Sequence, residues 1–141
     1  MKLARALSDV EAKKVQTSVL LGGVFTTLAI WTKLEDPVNL PKMFVLVLSA
    51  AVVFGLSLPA ILGARKSATD NKKGGLILIG IFTIALLVST LMTDVKYTAI
   101  FGEYHRNNGA LAYLAMATMF AGSVATFSVQ SSIRYFKFFA I

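Results

Sequence analysis

Gly74-Gly-Leu-Ile-Leu-Ile-Gly-Ile-Phe-Thr-Ile-Ala-Leu-Leu-Val-Ser-Thr-Leu-Met-Thr93 contains no Asp, Glu, Lys or Arg, and it is bounded by Lys72 and Lys73 on one side and by Asp94 on the other. Roughly 20 apolar residues in a helix cross the approximately 30 Å of hydrocarbon in a bilayer. A lone strand of this composition could not cross, because in lipid each backbone N–H and C=O must be paired within its own element. The stretch is therefore read as a membrane-spanning helix. Three other runs repeat the pattern: Val15 to Thr32, Met43 to Ala64 and Asn107 to Ile133 are equally free of charged side chains. A charge at the centre of an inserted helix costs about 2.5 to 3.5 kcal/mol, so four such runs in one chain define a class.

The whole composition agrees. Of 141 residues, 56% are hydrophobic and 15% charged, and the mean hydropathy is +0.72. A water-soluble domain of that length would lack the polar surface to cover itself. The absence of Cys removes disulfides, thiolate metal sites and thiol nucleophiles, and a single His rules out a multi-histidine metal centre within the chain. Neither a metal nor a cofactor is expected. The fold expected is all-α, a polytopic transmembrane helical bundle of four spans.

The net charge of +7 sets the orientation. Basic residues number four in Met1 to Lys14, two in Lys33 to Lys42, four in Arg65 to Lys73, two in Asp94 to Arg106 and two in Arg134 to Ile141. With alternating sides, ten lie on the N-terminal side and four on the other. The positive-inside rule makes the N-terminus cytoplasmic in a multi-pass protein of the cytoplasmic (inner) membrane. Trp31, Phe44, Tyr97, Phe101 and Tyr104 gather at the expected outer boundary, where amphipathic rings settle. The first run is read as a signal anchor, since Leu28-Ala29-Ile30-Trp31 offers no small-x-small cleavage site.

Three segments follow: a basic interfacial stretch over 1–14, a four-helix region over 15–133, and residues 134–141, which resume an apolar run and are expected to begin a fifth helix. On that reading the chain is a fragment of a longer protein. Within 1–14, Leu3, Leu7, Val10 and Lys14 fall at helical spacing, and Ser8 and Glu11 have the spacing of a capping box. Ala51 and Gly55, and Ala117, Ala121 and Ala125 with Thr118, Gly122 and Thr126 beside them, form small-residue stripes of the kind that lets helices approach closely. Packing within the chain is the expected use of both stripes. No charged residue or His lies at the middle of a span, which disfavours an ion pathway and a transporter. Basic residues divided between two sides of a membrane form no continuous patch, which makes a membrane-surface nucleic-acid binder a remote reading.

Asp94 to Gly109 is the chemically dense loop. Lys96, Tyr104, Arg106, Asn107 and Asn108 are its candidate substrate-binding residues, because a guanidinium fork matches phosphate oxygens and amides pair with sugar hydroxyls. An ordinary solvated turn has the same composition. Glu103, His105 and Arg106 lack a Ser or Cys partner, so no nucleophilic triad is proposed.

Phe101-Gly-Glu-Tyr-His-Arg-Asn-Asn-Gly-Ala-Leu-Ala-Tyr-Leu114 resembles the FGxYxRxxGxxxYL stretch before the fourth helix of bacterial O-antigen ligase and polymerase-like membrane proteins. Asp36-Pro-Val-Asn-Leu-Pro-Lys42 resembles the DPxxxPK segment that many of them carry between the first and second helices. Gly102, Gly109, Pro37 and Pro41 are the structural positions of these two motifs. The resemblance extends over nearly the whole chain but only about the first third of a typical family member. It implies a glycosyltransferase that moves glycan from an undecaprenyl diphosphate carrier to an acceptor in cell-surface polysaccharide assembly. It further implies inverting, metal-free chemistry, in which basic residues neutralise the leaving diphosphate. The family's principal catalytic Arg and His belong to later helices and a later outer loop, so His105 is not assigned as the base, and this portion alone is expected to be inactive. The expected partners are membrane lipid and the carrier-linked glycan. The competing readings are a self-contained four-helix scaffold or accessory subunit, and part of a transporter.

Overall fold

In the computed structural model the described residues are 2–34, 36, 38–67, 70–103, 109–127 and 133. Among them the secondary structure is entirely helical: α1 Lys2–Leu28, α2 Asn39–Ser67, α3 Asp70–Met92, α4 Lys96–Phe101 and α5 Ala110–Thr126. Two of these, over Asn39–Pro59 and Lys72–Met92, are long and apolar enough to cross a membrane. The first and fourth charge-free runs yield less helix than expected. α1 stops at Leu28 rather than Thr32, and α5 spans 17 residues, about 26 Å at 1.5 Å per residue. α5 ends because Phe127 turns extended (φ −75°, ψ 141°), so the run to Ile133 is not one helix. The expected fifth helix at 134–141 lies outside the described residues.

Two local expectations are corrected. α1 runs unbroken through position 14, and Ser8 and Glu11 lie well inside it rather than at its start, so their spacing caps nothing. The basic stretch Arg65 to Lys73 is mostly helix, with α2 reaching Ser67 and α3 beginning at Asp70. The start of α2 explains the DPxxxPK segment physically. Asp36 Oδ1 accepts from the Asn39 N–H at 2.9 Å and from the Val38 N–H at 3.3 Å, the pairing that relieves a helix's unpaired first donors. Pro41 sits buried in the first turn, where a missing N–H costs nothing. Pro37 lies outside the described residues.

The helices alternate in direction around α5, which touches all four of the others. Gln16 of α1 meets Thr126 while Gly22 meets Met119, so α1 runs antiparallel to α5. Ser49 and Val53 of α2 lie beside the levels of Met119 and Gly122, so α2 runs parallel to it. Lys72 reaches Ala125 and Gly75 faces Val124, which makes α3 antiparallel again.

Size is distributed in reverse of a soluble core. Among the described residues the buried core side chains include Val15, Ala50, Val53, Ala110, Ala112 and Ala115, none larger than Val, whereas Phe25, Leu28, Phe44, Leu78, Ile84 and Leu91 are exposed. None of the most apolar stretch of α3 is buried. Small residues between helices and large ones facing out is the packing pattern of helices in lipid. The stripes divide accordingly. Gly122 and Thr126 are buried in the α5 interface, as expected. Ala51 and Gly55 are exposed, with nothing within 4 Å of where a Gly55 Cβ would stand, because α2 packs through Ala50, Val53 and Ser57 instead.

Polar groups at the end of α5 are closed by its neighbours. The last four carbonyls of any helix lack intrahelical donors. Here Gln16 Nε2 donates to Thr126 O at 2.7 Å and Lys72 Nζ to Ala125 O at 3.3 Å. The Lys72 charge also suits the negative end of the α5 dipole. Elsewhere hydroxyls donate to the carbonyl one turn back, as from Thr26 to Gly22 at 2.7 Å and from Thr118 to Leu114 at 2.8 Å, and among the described residues no buried side-chain polar atom lacks a partner.

Candidate functional site

The described part of the dense loop is a tight corner between α3 and α5. Lys96 Nζ donates to Leu91 O, so this candidate binding residue closes the C-terminus of α3. α4 then forms a helix that the loop reading missed. Its one sequence signal is the Tyr97 and Phe101 pair at i, i+4, whose rings sit 5.0 Å apart and 39° from parallel. Gly102 N donates to Thr98 O at 2.8 Å, and Gly102 adopts φ 91°, ψ 176°, a conformation essentially confined to glycine.

Gly109 begins α5, its carbonyl accepting from Ala112 N at 3.0 Å and Tyr113 N at 3.4 Å. A Cβ on Gly109 would collide with Gly102 N and Ile100 O and lie 2.5 Å from Ile100 C. The backbones at Gly102 and Gly109 are therefore in contact, and the ends of the intervening segment are held together. Both glycines of the FGxYxRxxGxxxYL stretch are required by this closure. Tyr104, His105, Arg106, Asn107 and Asn108 lie outside the described residues, so of the candidate binding residues the structure describes Lys96 alone.

Beside this corner α3, α4 and α5 enclose an open cleft of about 530 Å³. Ser89, Thr90, Thr93, Thr98, Glu103 and Tyr113 give it a polar lining, with Gly102 and Gly109 at its edge. The α3 hydroxyls were not singled out from sequence because Ser and Thr leave a run charge-free. Thr90 and Thr93 donate back to Leu86 O (2.8 Å) and Ser89 O (2.9 Å), so their oxygens keep lone pairs for a ligand. Among the described residues no three His, Asp or Glu converge as a metal site. The cleft is chemically suited to holding a polyhydroxyl group. No family model, no curated protein and no solved structure matches the chain.

Proposed function

We propose that this chain is a multi-pass membrane portion of a glycosyltransferase resembling O-antigen ligases and polymerases, acting on an undecaprenyl diphosphate-linked glycan at the outer face of the cytoplasmic membrane. One observation carries the reading: of the two glycines of the loop stretch, Gly109 stands where a Cβ would strike backbone and Gly102 holds a positive φ, and both stand at the edge of a hydroxyl-lined cleft. Alternating helix directions and outward-facing large apolar residues support four crossings, with α5 the shortest of the four helices. The role assigned to Arg106 is to neutralise diphosphate charge, with Asn107, Asn108 and Tyr104 contacting the glycan. The exposed Ala51 and Gly55 favour a second reading, a membrane scaffold or accessory subunit that packs another helix on α2.

Arg106→Ala in the protein as its host expresses it separates the two. The transferase reading expects surface glycan transfer to fall about tenfold or more, since a hydrogen bond to a charged group contributes about 1.5 to 3 kcal/mol, with expression unchanged. Normal glycan transfer would leave the loop an architectural corner and favour the scaffold.

A further inference from the structure

The end of the bundle at which α5 stops marks a boundary of the hydrocarbon. Gln16 and Lys72 both donate to carbonyls of the last α5 turn, so they stand at one level. Lys72 is also the first residue of the apolar span of α3. Val53 and Ser57 of α2 flank Gly122, one turn before Thr126, which brings Pro59, the last residue of the α2 span, to the same level. The two spans therefore end together, as helices in one bilayer must. Lys13 and Lys14 lie beyond Gln16 on α1, about 3 to 5 Å further out at 1.5 Å per residue. Headgroups occupy about 5 to 7 Å on each side of the hydrocarbon, so both lysines stand at phosphate depth.

A groove of about 440 Å³ opens at that depth, lined by Val10, Lys13, Lys14, Thr17 and Ser18 of α1 and by Leu56 of α2. Its volume lies within the about 300 to 1,000 Å³ typical of small-molecule sites. The α1 residues are three or four apart and form one face, with a hydroxyl one turn after each lysine. Helical side chains lean toward the N-terminus, which carries those hydroxyls toward the level of the lysines. Thr26 and Thr27 donate back to Gly22 O and Val24 O, whereas among the described residues neither the Thr17 nor the Ser18 hydroxyl is engaged in a hydrogen bond. Two ammonium groups and two hydroxyls thus line one groove, and all four donate to phosphate oxygens. Asp9 and Glu11 do not line it, and the rest of α2, Ala60 to Ser67, contains Arg65 and Lys66 but no acid. Leu56, just inside the Pro59 boundary, supplies apolar contact that a free phosphate would not use. We propose that the α1–α2 groove binds an anionic phospholipid, with Lys13, Lys14, Thr17 and Ser18 on its phosphate and Leu56 against its upper acyl carbons. The site lies at the opposite end of α5 from the Gly109 corner, and it rests on the membrane reading of the chain, not on glycan transfer.

The test uses the full chain in phosphatidylcholine vesicles containing a trace of either phosphatidylglycerol or phosphatidylcholine that carries a photoreactive group in its upper acyl chain. Photoreactive phosphatidylglycerol is expected to label the peptides around Lys14 and Leu56 about tenfold more than its zwitterionic counterpart, the ratio that about 1.4 kcal/mol of preference gives. Lys13→Gln with Lys14→Gln should equalise the two lipids, whereas Lys73→Gln, at an exposed lysine of α3 outside the groove, should leave the preference as it is. Thr17→Val with Ser18→Ala keeps every charge and should still lower the preference about threefold, an ordinary hydrogen bond's worth. Equal labelling of the wild type by both lipids, or an unchanged preference in the Lys13→Gln, Lys14→Gln protein, would overturn the proposal. So would an unchanged preference in the Thr17→Val, Ser18→Ala protein, because diffuse attraction to charge needs no hydroxyl. Displacement of the label by excess inorganic phosphate would also overturn it, by giving the groove a soluble ligand. Flotation of the chain with the vesicles reports membrane insertion by itself, and no transfer is measured, so failure of the groove is distinct from failure of the membrane or glycosyltransferase reading.

Discussion

Gly109→Ala is expected to unfold the corner between α4 and α5 and to cost about 3 kcal/mol, the upper range for overfilling a packed site. The added Cβ would meet backbone on every side, at Gly102 N, Ile100 O and Ile100 C. Side chains can rotate away from such a contact, but these atoms cannot. Gly102 cannot relieve it either, since its φ of 91° already sits where other residues are strained. Thermal unfolding in detergent would measure the loss. Gly80→Ala provides the control, because no atom lies within 4 Å of its Cβ position inside α3. That change should be neutral or stabilise by up to about 1 kcal/mol through helix propensity. Equal melting of the two variants would mean that Gly102 and Gly109 are not in contact.

Gly122→Leu is expected to part α2 from α5, again at about 3 kcal/mol. A Cβ at Gly122 stands 2.5 Å from Val53 Cγ1, and Val53 is fully buried. Ser57, also fully buried, lies a further turn along at 3.6 Å, so the larger side chain has no pocket to enter. Gly55→Leu, two residues and so about half a turn from Val53 on the outward side of α2, should change the melting temperature little. Comparable losses at positions 55 and 122 would contradict the assignment of the α2 packing face.

These two glycines illustrate what the sequence reveals and what it conceals. The runs from Met43 and from Gly74 mark α2 and α3 well, because absence of charge over a bilayer's length is itself the physical requirement for insertion. The same criterion overextends the first and fourth runs, since hydropathy continues past the points where Leu28 and Thr126 end their helices. The helix face used for packing is equally hidden. Ala51 and Gly55 satisfy a small-residue spacing as well as Gly122 and Thr126 do, and only the neighbouring helix decides which stripe is used. Gln16 and Lys72 escaped notice for another reason: their partners are backbone carbonyls, which every residue possesses and no motif records. The cleft was half legible. Gly102 and Gly109 stood out, while Ser89, Thr90 and Thr93 looked like ordinary members of an apolar run until α4 and α5 were set against them.

Single-cysteine labelling tests most directly the proposed topology, in which the helices cross a bilayer alternately with the N-terminus inside. The chain has no native Cys, so each introduced thiol reports only its own position. Asn39→Cys and Asn108→Cys are predicted to react with a membrane-impermeant maleimide in intact cells, and Asn71→Cys only after permeabilisation. Reaction of Asn71→Cys from outside with protection of the other two, or equal access at all three, would contradict the account.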